Sequence, residues 1–294
     1  MPSPSPAISP AELEARLRLH SLPQLGPRRF RRLLEAFSSA SAALSAPATA
    51  WRALGLPYEA SMHVLGGEMY VKKATVEYHA SARLDDTLDV GLRCARIGNS
   101  SCLFTADIFC GDRLLISAEL VYVFADPATQ TSRPVPPALR AIFEGFEAGA
   151  DMAEVRTGDW NTLGRDAGRV RTEVFVHEQG IPAEIEADVH DISARHAVLY
   201  NRLGMPIAAG RLLQQSPGVG RIGRMAVDRS VRGAQWGRQL LDALVAAARA
   251  RGDTEVQLHA QRSAEGFYRR AGFSVVGEPY EEAGIAHIAM AQRL

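Results

Sequence analysis

Residues 221–241, RIGRMAVDRSVRGAQWGRQLL, constrain the fold of this chain more than any other stretch. They begin with the apolar residues Ile222, Met225 and Val227, a pattern that predicts a buried strand. An Arg- and Gly-rich turn at 232–237 follows, and beyond it the apolar residues recur at helical spacing. Because a helix N-terminus presents free N–H groups and partial positive charge, this strand, turn and helix predict an anion-binding cradle.

Two other motifs accompany the cradle. Residues 264–273, AEGFYRRAGF, predict a short helix that ends in glycine and carries one tyrosine, and residues 171–179, RTEVFVHEQ, lie upstream. At these motifs the chain resembles the GNAT acetyltransferases, whose acyl-CoA signature R-x-x-G-x-G/A is followed by F-Y-x-x-x-G-F. The resemblance covers about residues 153–294 and implies a three-layer α/β domain. The alternating predicted strands and helices of this region also favour such a domain.

The GNAT resemblance implies that acetyl-CoA is the cosubstrate and a small amine the acceptor, with direct transfer between them. It assigns the acyl-CoA contacts to Met225, Ala226, Val227, Arg232, Gly233, Ala234, Gln235, Trp236, Gly237 and Arg238. Gln235 stands where the family has its first signature glycine, which narrows the room for the pyrophosphate. Tyr268 is implied as the general acid for the leaving thiolate. For the general base, Glu173 and Glu178 are candidates, and a chain of water molecules would serve equally.

The segment after the upstream motif, residues 180–191, is rich in carboxylates: Glu184, Glu186, Asp188 and Asp191. Two interpretations stay open, namely an acidic entrance for a cationic amine and a solvated loop. Asp188, His190 and His196 carry metal-ligating side chains, but their spacing matches no known metal-binding pattern. We therefore expect no metal.

The middle of the chain has the alternating pattern of strands. Polar and apolar residues alternate over 74–78, 90–94, 102–108 and 114–124, with turn residues between these segments. This pattern predicts an antiparallel sheet with one buried face, because successive side chains of a strand point to opposite faces.

The same region carries motifs of a second family. WRALGLPY at 51–58, VEYHASA at 76–82, the Asp85-Asp86 pair and RPVPP at 133–137 resemble hot-dog acyl-CoA thioesterases of the 4-hydroxybenzoyl-CoA type. The resemblance covers about residues 51–147 and implies a homo-oligomer. The family's first strand and the loop with its catalytic aspartate are not visible before Trp51. Thioesterase activity is therefore expected to be impaired.

The first residues of the chain predict a small helical piece. Residues 1–56 contain seven arginines and three glutamates, and a Leu-Gly-Pro turn at 25–27 separates two predicted helices. The arrangement resembles the helix-hairpin-helix module of bacterial DNA-processing proteins, whose hairpins meet DNA phosphates through backbone N–H groups. A solvated basic face is the alternative, and we favour it.

Composition restricts the remaining possibilities. The chain has 294 residues, a formal net charge of +0 and three cysteines without a zinc-binding spacing. No apolar run approaches the roughly 20 residues of a membrane span, and the start of the chain does not look like a signal peptide. We expect a cytoplasmic protein without a membrane partner.

These observations predict a multidomain α+β/α-β chain. The expected parts are a helical piece (1–50), an antiparallel hot-dog sheet (51–147), a linker (148–154) and a three-layer GNAT α/β domain (155–294). The leading functional hypothesis is an acetyl-CoA-dependent N-acetyltransferase. The alternatives are an acyl-CoA thioesterase and a non-enzymatic acyl-CoA-sensing or DNA-associated protein.

Overall fold

The computed structural model describes residues 51–83, 85–282 and 284–294. The predicted helical piece at 1–50 lies outside these residues. The described part forms two compact units. The first contains Trp51 and residues 62–148, and the second contains residues 52–61 and 149–294.

The helices and strands follow one another in the order that the sequence pattern predicts, with additional short elements. The helices are α1 (Tyr58–Leu65), α2 (Pro137–Glu147), α3 (Trp160–Arg171), a π-helix (Thr172–Glu178), α4 (Ala183–Glu186), α5 (Trp236–Arg251) and α6 (Glu265–Arg270). The strands of the first unit are β1 (Glu68–Tyr78), β2 (Asp89–Ile97), β3 (Ser101–Cys110) and β4 (Arg113–Ala125). Those of the second are β5 (Ala153–Gly158), β6 (Arg195–Asn201), β7 (Pro206–Ser216), β8 (Val219–Val227), β9 (Glu255–Gln261), β10 (Ser274–Val275), β11 (Tyr280–Glu282) and β12 (Ile285–Arg293).

The first unit is an antiparallel sheet with the strand order β1-β4-β3-β2, as the alternation predicts. Its aromatic core joins Phe143 of α2 to Phe104 of β3, with ring centroids 5.5 Å apart in an edge-to-face arrangement. Trp51 lies against the same Phe143 ring at 5.9 Å. Phe143 is buried in α2, where Leu139 and Ile142 share its apolar face.

The prediction of one buried face for this sheet is correct only in part. Val76 and Tyr78 of β1 remain 38% and 50% exposed, and Val90 of β2 is 57% exposed. At the other end of the sheet, Cys102 and Phe124 are buried. Alternation shows which side chains share a face, but the element that covers that face is decided by tertiary packing.

The second unit is a long sheet with helices on both sides. Its strand order is β10-β12-β9-β8-β7-β6-β5, with β11 paired to β12. Neighbouring residues of β7 point to opposite faces. A Cβ on Gly210 would meet Leu240 and Leu244 of α5, whereas Arg211 shares Asp191 with Arg171 of α3. The sheet therefore lies between α3 and α5, which gives the three layers expected for residues 155–294.

The segment Arg52–Ser61 packs in this second unit, although the sequence predicted it in the hot-dog domain. Asn201 Nδ2 donates to Gly55 O at 2.9 Å, and Trp236 Nε1 donates to Arg52 O at 2.9 Å. Gly55 has a φ of +65°, and a Cβ there would lie 3.0 Å from Ile207 Cδ1. A glycine is needed at this position for both its backbone angle and its close contact.

Two different helices follow β5 directly along the chain. The α-helix α3 begins after Asp159, whose side chain accepts a hydrogen bond from Thr162 N, and ends at Arg171. A π-helix then follows from Thr172 to Glu178. Within the described residues, no helix has the length and apolar character that a membrane span requires.

Candidate functional site

The two parallel strands of the second sheet diverge. β8 and β9 pair only from Val219–Glu255 to Ile222–Leu258, yet β8 continues to Val227 and β9 to Gln261. The β9-facing backbone groups of residues 223–227 are therefore free of strand pairing. Openings at the carboxyl ends of parallel strands are common ligand sites in α/β sheets.

A bulge in β8 accompanies this divergence. The β7–β8 register shifts between Ala209 and Arg211, opposite Arg224, which has a φ of +52°. A bulge adds an extra residue to one strand of a pair, which bends that strand and interrupts its regular pairing. The Met225 side chain lies over Gly210, where a Cβ would approach its sulfur to 2.8 Å. Met225, Ala226 and Val227, the predicted acyl-contacting residues, thus line β8 beyond its last pair with β9.

The N-terminus of α5 lies beside the end of β8. A Cβ on Gly237 would be 3.5 Å from Val227 and 3.6 Å from Phe267 of α6, so β8, α5 and α6 meet here. The first turn of α5 contains no acidic residue, and its leading N–H groups have no intrahelical acceptors. Helix starts of this kind commonly bind anions in other proteins.

Gln235 is the N-cap of α5 and has a left-handed backbone with a φ of +66°. Gly233 nearby has a φ of +92°. Glycine adopts such angles at little energetic cost, whereas for another residue the left-handed conformation raises the free energy of the folded state by about 1–2 kcal/mol. The Gln235 side chain is exposed. The backbone of the turn thus has the shape expected for a glycine-containing turn, with strain at Gln235.

Both arginines of the turn have protein partners. Arg232 makes two hydrogen bonds to the Glu178 carboxylate, at 2.6 and 2.7 Å, and its Nε donates to Val227 O at 2.9 Å. Arg238 Nε lies 2.9 Å from both carboxylate oxygens of Asp242. An anion at the turn would have to share these two guanidinium groups with the carboxylates of Glu178 and Asp242. These two ion pairs were not predicted from the sequence.

Trp236 contributes to the site through its backbone. Its indole is buried, and the ring nitrogen donates the hydrogen bond to Arg52 O described above. Because the side chain is occupied, only the Trp236 N–H at the helix start remains for a ligand. The indole anchors the first residue of α5 to the segment Arg52–Ser61.

Tyr268, the predicted general acid, lies in α6 and is 8% exposed. Its ring packs edge-to-face with Phe267 and Phe273, with centroids 4.9 and 6.0 Å away. Burial raises the pKa of Tyr268 to about 12. The phenol therefore keeps its proton at neutral pH, as a proton donor must.

The two predicted general bases both have partners. The Arg232 hydrogen bonds lower the pKa of Glu178, and this makes its carboxylate a weaker base. Glu173 Oε2 lies 3.0 Å from His177 Nδ1 on the surface of the π-helix, where both side chains are well exposed. In this structure neither glutamate is free of a partner.

Three of the four carboxylates of residues 180–191 are in ion pairs, whereas Glu184 is exposed. Glu186, Asp188 and Asp191 pair with three arginines from α3, β7 and β8: Arg171, Arg211 and Arg224. Glu186 and Asp191 are buried with Arg171 and Arg211. Neither hypothesis describes these three acids, and the ion pairs were not predicted because each arginine lies 15 or more residues from its acid along the chain.

Arg171 is the centre of this network. It is 1% exposed and donates from Nη1 to Asp191 Oδ1 at 2.7 Å and from Nη2 to Glu186 O at 3.0 Å. Burial disfavours the charged form of Asp191, but the hydrogen bonds from Arg171 and Arg211 outweigh it, so the pKa of Asp191 is lowered. His196 Nε2 donates to Asp191 O at 2.8 Å. Asp188 and His196 are thus committed to structural contacts.

Replacing Gln235 by glycine is expected to raise the free energy of unfolding by about 0.5–1 kcal/mol, because glycine removes the left-handed strain. Chemical denaturation measures this change. The matched control is Gln239→Gly in the same helix, where glycine should instead cost about 1 kcal/mol. A loss of stability in both variants would show that the turn at Gln235 is not strained.

Comparison with protein families matches each part of the chain. Residues 162–294 match the acetyltransferase (GNAT) domain. Residues 45–117 match the thioesterase superfamily, and residues 10–63 match the DprA-like N-terminal HHH domain. The three resemblances predicted from the sequence are thereby confirmed as family matches.

Individual relatives match the second unit. The uncharacterized N-acetyltransferase YjcF of Bacillus subtilis is 39% identical over 127 residues, which is 43% of this chain and 89% of YjcF. Protein ElaA of Escherichia coli is 35% identical over 132 residues, 43% of this chain and 84% of ElaA. The crystal structure of an acyl-CoA N-acyltransferase from Pseudomonas aeruginosa is 34% identical, with a TM-score of 0.44, and the match covers 48% of this chain and 99% of that chain.

Proposed function

Since this chain belongs to the GNAT acetyltransferase family, we propose that it is an acetyl-CoA-dependent N-acetyltransferase that transfers an acetyl group directly to a small amine. The observation that carries this proposal is the divergence of β8 and β9 beside the N-terminus of α5. It combines an opening lined by free backbone groups with an anion-binding helix start.

The residues at this opening fit an acyl-CoA molecule. The turn at 232–238 would hold the pyrophosphate through backbone N–H groups, with Arg232 and Arg238 at its sides. The unpaired backbone of residues 223–227 would hold the amide-containing pantetheine arm. When bound, acetyl-CoA supplies an already activated acyl group.

The remaining tasks are performed by the protein. Holding the thioester and the amine together removes the entropic cost of a bimolecular encounter. Backbone N–H groups of β8 beyond Ile222 would polarise the carbonyl oxygen, where negative charge develops. Tyr268 would give its proton to the departing sulfur.

The test of this function is calorimetric titration with acetyl-CoA, together with an assay for free thiol in the presence of a panel of amines. We expect micromolar binding and thiol release only when an amine is present. An absence of binding at millimolar acetyl-CoA would overturn the proposal. Thiol release without an amine would instead support a thioesterase.

A variant of the helix start makes this test specific. Ala234→Glu places a carboxylate beside the predicted pyrophosphate site, and we expect acetyl-CoA to bind about tenfold more weakly because of charge repulsion. Ala246→Glu, an exposed position in the middle of α5, is the matched control and should bind as the wild type does. Equal binding by both variants would place the pyrophosphate elsewhere.

A further inference from the structure

A cluster of polar side chains lies where β9, β11 and β12 meet. Tyr280 pairs with His287 across β11 and β12, and Ala289 of β12 pairs with His259 of β9. The Tyr280 ring is edge-on to His259, with centroids 5.6 Å apart, and parallel to His287 at 5.9 Å. Glu282 Oε2 lies 4.0 Å from His259 Nδ1.

This cluster is located at the opening between the diverging strands. His259 directly follows Leu258, the last residue of β9 that pairs with β8. Alternation along β9 places His259 and Gln261 on one face and the buried Leu258 and Ala260 on the other. Gln261 Nε2 donates to Gln179 Oε1 at 3.0 Å, so the His259 face is the one that carries the π-helix.

The side chains of the cluster have unused hydrogen-bonding capacity. The Tyr280 hydroxyl is buried and has no hydrogen-bond partner among the described residues. His287 Nδ1 donates to Ile285 O at 2.8 Å, which leaves Nε2 of this ring as an acceptor. The His259 side chain is 48% exposed, so a solute can reach it. Buried polar groups normally have partners, and the free Tyr280 hydroxyl therefore marks a place for a polar ligand.

Partial burial, rather than the surrounding charges, is the main reason that the imidazole of His259 is neutral. Partial burial lowers the pKa of His259 below its usual value. Glu282 of β11 opposes this shift, whereas Arg221 of β8 and His287 of β12 reinforce it. Since the net shift is downward, the ring carries no positive charge at neutral pH and can accept a proton.

We infer that His259 is the proton acceptor for the amine substrate, in an acceptor site that Tyr280, Glu282 and His287 complete. The inference rests on the proposed N-acetyltransferase function. It identifies a base that Glu173 and Glu178, with their existing partners, do not supply. Glu282 would stabilise the imidazolium that forms, as a carboxylate beside a histidine does in other general-base pairs.

The proton balance of the reaction is complete with these residues. His259 takes one proton from the ammonium form of the substrate. The free amine nitrogen then bonds to the thioester carbonyl carbon, and the carbon–sulfur bond breaks. Tyr268 protonates the sulfur and regains a proton from the nitrogen, which leaves an amide and a free thiol. The His259 imidazolium finally returns its proton to water.

The test compares His259→Gln with the wild type in the full-length protein, with amine-dependent thiol release as the rate. We expect kcat to fall by about 10²-fold, while calorimetry shows an unchanged affinity for acetyl-CoA. The fall of kcat/KM toward acidic pH should also disappear, because this acidic limb of the pH profile reports the ionisation of the base. His63→Gln, which changes an exposed histidine of α1, is the matched control and should keep the wild-type rate and profile.

A second variant separates a chemical role from a structural one. Glu282→Gln removes the carboxylate that favours the imidazolium, so the acidic limb should move to lower pH. An unmoved limb in Glu282→Gln, or one that persists in His259→Gln, overturns the inference even when the wild type is an active acetyltransferase. A wild type without amine-dependent thiol release overturns the proposed function itself, and the inference falls with it.

Discussion

Replacing Arg171 by methionine is expected to lower the free energy of unfolding by about 3–5 kcal/mol, the usual cost of breaking a buried ion pair. Methionine fills a similar volume but leaves Glu186 and Asp191 buried without their main cation. The guanidinium also lies over the Trp160 ring, with its carbon 5.6 Å from the ring centroid, and this contact is lost as well. Chemical denaturation followed by far-UV circular dichroism measures the change.

The control for this variant is Arg165→Met in the same helix. Arg165 is exposed, so the identical substitution should change stability by no more than about 0.5 kcal/mol. In the double variant Arg171→Met/Glu186→Gln, one of the uncompensated charges is removed, and part of the lost stability should return. Equal losses in the single and double variants would contradict the explanation by buried charge.

Replacing Tyr268 by phenylalanine is expected to lower kcat for amine-dependent thiol release by roughly 10²-fold, the size of a general-acid contribution. Phenylalanine keeps the packing with Phe267 and Phe273 and removes only the hydroxyl. The affinity for acetyl-CoA should therefore remain within twofold of the wild type. Steady-state kinetics and calorimetry on the same samples test both statements.

Tyr200→Phe provides the matched tyrosine control. Tyr200 is also buried, and its hydroxyl donates to Asp166 Oδ2 at 2.7 Å. Loss of this hydrogen bond should cost stability of about 1 kcal/mol without a change in kcat. A wild-type kcat in Tyr268→Phe would mean that solvent, rather than Tyr268, protonates the sulfur.

The strands and helices around the site were largely predictable. The strand at 222–227, the helix from Gly237 and the short helix with Tyr268 follow from local periodicity, which depends only on neighbouring residues. The left-handed backbone at Gln235 was not predicted, although this residue stands where the signature has a glycine. The π-helix was not predicted, because such helices are rare and occur mostly as single turns within a helical segment.

The partners of the charged residues were not predictable from spacing. Glu178 was a candidate base until the structure placed it on Arg232, which is 54 residues away in the chain. The polar cluster around His259 was not predicted. The approach of Glu282, Tyr280 and His287 to His259 depends on the pairing of β11 with β12 and of β12 with β9.

The sequence by itself determined the order of strand, turn and helix, the acyl-CoA signature and the family, because these depend on residues close together in the chain. Only the tertiary structure decided where β8 and β9 separate, which carboxylates Arg171 and Arg232 neutralise, and that Arg52–Ser61 packs in the second unit. These features arise when distant segments are packed to bury apolar surface and compensate charge. No local pattern specifies which of several arginines a given carboxylate will meet.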